Sequence, residues 1–368
     1  MKKTVFSLAL ATFGLGMAEF GIMGVLTELA NNVGISIPSA GHMISAYAAG
    51  VVIGAPIMAM FSNRFSLKNV LLFLVALCFV GNTIFTFSSA YPMLVIGRLI
   101  SGFPHGAIFG VGAIILSKIA PPGKVTMAVA GMIAGMTVAN LIGIPLGTWI
   151  GHLFSWRYTF VLISLFFVLV MVSVIFWVPS LYDTAPTRLS EQFHFLKKPE
   201  PWLIFAATMF GNAGVFAWFS YVKPFMVSVS GFSQNAMTLI MMLMGLGMVL
   251  GNMFSGRVSA RFSPIRIAAG ALSLGFICCA GLFALSAPLQ IMLLQNAKGG
   301  EMLGAAGGQM AFNFGNAVGA WFGGLIIAFG FSYNYLALPA AVLTFAALTS
   351  LLIYNRRITR HQTEVVTV

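Results

Sequence analysis

Eleven apolar stretches follow one another through the chain, each long enough to cross a bilayer. They lie near 5–28, 39–61, 70–89, 92–117, 126–151 and 158–178, then 202–222, 235–256, 267–294, 303–328 and 332–354. Inside hydrocarbon every backbone N–H and C=O must find its partner within the protein, which leaves helices or a closed barrel. The runs are continuous rather than alternating, so helices are expected. Composition agrees. Of 368 residues, 59% are hydrophobic and 7% charged, with a mean hydropathy of +0.98, too little charge to keep a soluble fold in water. The expected class is an all-α polytopic membrane protein.

The net charge of +12 does not point to nucleic acid once the basic residues are placed. Lys2 and Lys3 precede the first span and set the N-terminus in the cytoplasm. Arg64 and Lys68, Lys118 and Lys124, then Arg188, Lys197 and Lys198 fall in alternate loops, and Arg257, Arg261 and Arg266 continue the pattern. Arg157 and Lys223 fall on the other side. After that the pattern breaks. Eleven crossings put Lys298, Arg356, Arg357 and Arg360 outside, and one more crossing between Arg266 and Lys298 would bring them back. The opening run reads as a retained span, because no small-x-small site closes it as in a signal peptide. Cys78, Cys278 and Cys279 all lie in apolar runs and read as small buried hydrophobes.

The two halves repeat. Phe13 and Gly14 match Phe210 and Gly211, Gly34 and Ser36 match Gly231 and Ser233, and Gly50 and Gly54 match Gly247 and Gly251, at an offset of 197. Arg64-Phe65-Ser66 matches Arg261-Phe262-Ser263 at the same offset. Later the offset is 176: Gly131 matches Gly307, Asn140 matches Asn316, Gly143 matches Gly319 and Gly147 matches Gly323. The second half is therefore short by 21 residues, about one helical crossing, in the interval where the charge pattern breaks. The expected organisation is a six-span bundle over 1–181, a cytoplasmic linker over 182–201, a second bundle over 202–355 with five spans, and a polar tail over 356–368.

Few residues in the spans carry chemistry. Of seven acidic residues only Glu19 is deep in a span. A carboxylate there is costly, which suits a group that takes up and releases a proton. Arg98 in span four needs a partner or a water-filled cavity and is, with His105, a candidate modulator of Glu19 in the coupling; a fixed Glu19–Arg98 pair that only locks helices is the competing reading. His105, between Pro104 and Gly106, either titrates as a modulator of Glu19 or bonds a backbone carbonyl freed by the proline. Lys223 reads as an anchor snorkelling at the outer end of its span. Gln309, Asn313 and Asn316 share one helical face, Asn140 is the repeat mate of Asn316, and Asn212 lies in span seven. These amides suit uncharged, hydroxyl-rich ligands, on which Trp218 or Trp321 would stack, or else they glue helices together. Gly131, Gly135, Gly143 and Gly147 keep one face of span five flat for close packing, and Pro145 bends it.

Two six-helix repeats joined by a basic linker resemble the major facilitator superfamily. The stretch AMFSNRFSLK, 59–68, resembles its loop 2–3 signature, with Arg64 and Lys68 in place, Asn63 where the family has Asp, and Ser66 where it has Gly. The second copy, GRVSARFSPIR at 256–266, carries Arg257 and Arg261. In the family this loop gates the cytoplasmic side. LVIGRLISGFPHGAIFG, 94–110, is similar to the family's R-x-x-x-G motif at Arg98 and Gly102, and 131–151 resembles its glycine-rich antiporter motif. Segments 14–30, 101–114, 205–225 and 276–309 resemble the drug:proton antiporter branch, and its sugar-efflux-like members in particular. The resemblance implies a two-bundle, six-plus-six architecture whose C-terminal bundle is here incomplete.

It also implies a secondary active transporter that exports sugars, arabinosides or similar small uncharged solutes. The energy source is the proton gradient, with no cofactor, and Glu19 is the proton or substrate site. The expected partners are the lipid bilayer and the solute, with the protein acting as a monomer. Two alternatives stand beside this: a non-transporting paralogue or sensor, favoured by the missing crossing, and multidrug efflux. An enzyme is not expected. The chain has no H-E-x-x-H, G-x-S-x-G or Walker A pattern and no acid–His cluster at metal spacing.

Overall fold

The computed structural model describes residues 1–61, 65–121, 124–182, 194–258 and 301–366, together with 289, 292, 293 and 296. Its secondary structure there is helical. The first half contains α1 (Lys2–Gly24), α2 (Leu26–Val33), α3 (Ile37–Phe61), α4 (Leu67–Phe87), α5 (Tyr91–Gly102), α6 (His105–Ile119), α7 (Val125–Val138), α8 (Ile144–Leu153) and α9 (Trp156–Trp177). The second contains α10 (Pro199–Phe219), α11 (Val222–Ser228), α12 (Ala236–Val258), α13 (Glu301–Ala328) and α14 (Ala337–Val366). Among the described residues nine helical stretches are long and apolar enough to cross a membrane, and Ala236–Leu250 is a shorter apolar helix. Of the span expected at 267–294, Leu289, Met292 and Leu293 are described, packed in one cluster with Ile204, Leu351 and Tyr354; its other residues, and most of the linker, lie outside the described residues.

Three expected spans are interrupted, each for a local reason. Span four divides into α5 and α6 at Phe103–Pro104. Pro104 has no N–H to give the preceding turn, and its ring crowds that turn's carbonyl. Span five holds a π-helical turn over Ala139–Gly143, immediately before Pro145. The proline cannot complete the regular ladder, and the extra residue in the turn absorbs the mismatch. Span one ends at Gly24, and the chain turns at Val25 into the amphipathic α2.

The repeat is visible in backbone geometry. Val25, between α1 and α2, has φ −125° and ψ 16°; Tyr221, between α10 and α11, has φ −114° and ψ 22°. The paired Gly34 and Gly231 both enter the left-handed region, at φ +74° and +71°, where a side chain is strained. Their neighbours Ser36 and Ser233 each accept a hydrogen bond from a backbone N–H three residues on, Ser39 at 3.2 Å and Ala236 at 3.3 Å. The same turn chemistry thus starts the third helix of each half, α3 and α12.

Contacts between helices fix their directions. Gly307, Gly315, Gly319 and Gly323 of α13 lie in order against Phe205, Met209, Ala213 and Ala217 of α10, so the two helices run parallel. α14 runs back along α10, with Ala340 and Thr344 near Gly214 and with Leu351 and Tyr354 packed around Ile204. α12 starts beside the end of α8, where Asn235 meets His152, and reaches Asn140 at Gly245. α1 and α10 end together, because Lys223 bonds Gly24. It follows that α1, α10 and α13 start on one side, and that α12 and α14 return to it. The exposed Arg356 and Arg357 therefore share the side of Lys2 and Lys3. Lys68, Lys118, Lys124, Lys197 and Lys198 are also there, whereas Arg157 and Lys223 stand at the opposite end. The break in sidedness that eleven alternating crossings produce is absent from the described helices. α12 ends and α13 begins on the same side, which a single crossing at 267–294 does not join.

The halves meet along α3 and α13, where Ser45 donates to the carbonyl of Ala317 at 3.1 Å, and where α12 crosses the π-turn. Within the first half α3 and α5 touch backbone to backbone. A side chain added at Gly50, Gly54 or Gly102 would run into the carbonyl of Leu99, Phe103 or Tyr47. That crossing positions the site.

Candidate functional site

Glu19 is buried near the end of α1, at the meeting of the two halves. Its Oε1 accepts a hydrogen bond of 3.0 Å from Nδ2 of Asn316, on α13 of the other half. Its Oε2 lies 3.8 Å from Nε2 of His105, an electrostatic contact too long for a hydrogen bond. His105 opens α6 just after the Pro104 break, so the break itself carries the imidazole to Glu19. Its Nδ1 is hydrogen-bonded to Tyr47 Oη at 2.9 Å, and Phe109 covers the ring at 5.5 Å.

Arg98 is completely buried. Nη1 donates to the carbonyl of Ala18 at 2.7 Å and Nε to that of Met43 at 3.2 Å. The guanidinium lies 4.4 Å from the centre of the Tyr47 ring and 5.5 and 5.7 Å from those of Phe85 and Phe160. The direct Glu19–Arg98 pair is thus not what forms. Arg98 spends its donors on the backbone next to Glu19, and aromatic faces take part of its charge. Nor does His105 bond a carbonyl freed by Pro104, since both ring nitrogens face side chains.

The remaining candidates are spread out. Asn212 and Asn313 donate to carbonyls of their own helices, Thr208 at 2.7 Å and Gln309 at 3.0 Å. Asn140 is buried in the π-turn. Trp218 is half-buried against Phe225, and Trp321 is 47% exposed beside Phe322. The described bonds bring together Glu19, Arg98, His105 and Asn316, and no bond joins the others to them. Buried side-chain atoms without a hydrogen bond include Glu19 Oε2, Arg98 Nη2 and Oδ1 of Asn140, Asn313 and Asn316.

Gly131, Gly135 and Gly143 face Val5, Ala9 and Met17 of α1, and Gly147 faces Thr159 of α9. Lys68 donates to the Ile175 carbonyl near the end of α9 at 2.6 Å. Asn63, Arg64 and Arg261, and the side chain of Arg257, lie outside the described residues. Among the described residues no group of three or more His, Cys, Asp or Glu is placed to hold a metal ion.

Lys223 departs from expectation. It is fully buried rather than snorkelling; it donates to the carbonyl of Gly24 at 3.0 Å and pairs with the Glu28 carboxylate. His152 lies 3.3 Å from the same carboxylate oxygen and 2.8 Å from Asn235 Oδ1. The turn after α10 places Lys223 against the other half, where it finds an acid, instead of against headgroups. Tyr47 was also missed. Its signal was the spacing Tyr47, Gly50, Gly54, one face of α3, which marks the side that packs.

A family description, Major Facilitator Superfamily, matches residues 8–307. The chain belongs to that superfamily. It is 69% identical to the putative transporter AraJ of Escherichia coli (strain K12), over 97% of this chain and 96% of that one. The 377 aligned positions exceed the residues this superfamily member brings to them by about 20. It is 27% identical to a probable sugar efflux transporter of Helicobacter pylori (strain G27), over 88% of each chain. Its fold matches a crystal structure of a D-xylose–proton symporter with a TM-score of 0.72 at 17% identity, over 96% of each chain. The protein is a multi-pass membrane transporter of the major facilitator type.

Proposed function

We propose that the protein is a proton-coupled exporter of sugars, arabinosides or similar small uncharged solutes, acting by alternating access in a bacterial inner membrane with both termini in the cytoplasm. The observation that carries this reading is the hydrogen bond from Asn316 to Glu19. An ionisable group deep in the membrane is tied across the boundary between two halves that must rock against each other. A change in its protonation alters that tie, and so links a proton to the movement. The unpartnered Asn140, Asn313 and Asn316 oxygens supply acceptors of the kind a hydroxyl-rich solute engages. The gathering of basic residues on the side of Lys2 and Lys3 supports the orientation.

Cells or vesicles loaded with labelled arabinose or an arabinoside test this. The wild type is expected to expel the label in a protonophore-sensitive manner, and Glu19→Gln to lose that sensitivity. Efflux unaffected by protonophore and by Glu19→Gln would overturn the reading. The 21-residue shortfall of the repeat, and the similar excess of aligned positions, favour one other reading, a non-transporting paralogue. A folded wild type that moves none of these solutes would support it.

A further inference from the structure

Resting on that reading, we infer that Tyr47 is a positioning residue: its hydroxyl fixes the tautomer of His105 so that Nε2–H faces Glu19. Among the described residues Tyr47 Oη bonds His105 Nδ1 alone, at 2.9 Å, with the two rings nearly perpendicular at 86°. Two arrangements of hydrogens fit that distance. If Nδ1–H donates, the buried phenol hydrogen loses its acceptor, and the lone pair of Nε2 faces the oxygen of Glu19 3.8 Å away. If the phenol donates, every hydrogen has a partner or faces one, and Nε2–H is directed to Oε2, which has no other bond. With Glu19 ionised, the second arrangement is the cheaper on both counts.

Arg98 reinforces it. A guanidinium 4.4 Å from the centre of the phenol ring withdraws electron density from the ring and makes the hydroxyl a better donor. The titratable and charged groups facing His105 and Tyr47 are Glu19 on α1, Arg98 on α5 and Cys78 on α4, whose Sγ contacts the Ser101 carbonyl at 3.9 Å. None of these is bonded to Nδ1: Arg98 gives Nε and Nη1 to carbonyls, Cys78 contacts Ser101, and Glu19 lies on the other nitrogen. Tyr47 also discourages a second proton on His105, because the Nδ1–H of an imidazolium would take the phenol oxygen as its acceptor and leave the buried phenol hydrogen without one.

The test is the ¹⁵N spectrum of histidine-labelled protein in bilayers, without solute, at a pH where the infrared band of the protonated Glu19 carboxyl, identified by its loss in Glu19→Gln, has disappeared. The chain has five histidines, and His105→Gln identifies the relevant signals. The wild type should show His105 protonated at Nε2 and bare at Nδ1. Tyr47→Phe should shift the tautomer ratio towards Nδ1–H by about tenfold, the size of one lost hydrogen bond. A wild-type His105 protonated at Nδ1, or an unchanged ratio in folded Tyr47→Phe, overturns the inference. The wild-type spectrum decides even if the variant fails to fold. Efflux unaffected by protonophore and by Glu19→Gln would sink the proton-coupling reading while leaving this tautomer result standing.

Discussion

Asn316 and Glu19 form the bond on which the site depends, and its loss has a defined cost. Asn316→Ala leaves Glu19 Oε1 buried without its donor, which should destabilise the folded protein by about 1–3 kcal/mol. Thermal unfolding in detergent measures this. Asn313→Ala, which breaks only a bond within α13, should cost less. Combining Asn316→Ala with Glu19→Gln should cost less than the two separately, since they remove one interaction. Glu19 was legible in the sequence because a lone acid in an apolar run stands out. Asn316 was legible as a polar residue of a repeated position, but its partner was not, as nothing in a linear pattern says which helices face each other. Tyr47 was hidden because a tyrosine in a span is ordinary and only its neighbours give it a role.

The turn after α1 and the turn after α10 are joined by Glu28 and Lys223, and the two ends of that pair are not equivalent. Lys223 is fully buried, whereas Glu28 is 22% exposed and also meets His152. Glu28→Gln should therefore cost more, about 3 kcal/mol, because it strands a buried ammonium. Lys223→Met leaves a carboxylate that reaches water and should cost less, and the double variant should lie near the wild type. Burial pushes the Lys223 ammonium down from its ordinary value of 10.5, against the opposing pull of Glu28. A lysine that holds its proton less tightly folded than unfolded costs stability while charged. The cost should fade as pH rises through the window below 10.5, so thermal stability gains there in the wild type and not in Lys223→Met. The sequence showed where these helices lie to within a few residues. It did not show the breaks at Phe103–Pro104 and at Val25, because hydropathy continues unbroken through both.

Across the molecule, the repeat and the sidedness agree. Phosphatase or fluorescent-protein fusions after Val368 should report a cytoplasmic tail, because α14 returns to the side where α1 starts; a periplasmic tail would contradict the helix directions. The repeat was readable from paired glycines and serines, whose shared backbone geometry at Gly34 and Gly231 explains why those residue types recur. The sidedness was not readable, because a single hydrophobic run at 267–294 counts as one crossing by hydropathy alone. The measurement that most directly tests proton coupling through Glu19 uses the purified protein in sealed vesicles with a pH-sensitive dye inside. An imposed gradient of arabinose or an arabinoside should drive protons the opposite way in the wild type and leave the dye unchanged in Glu19→Gln. Proton movement of equal size in both proteins would contradict a coupling role for Glu19.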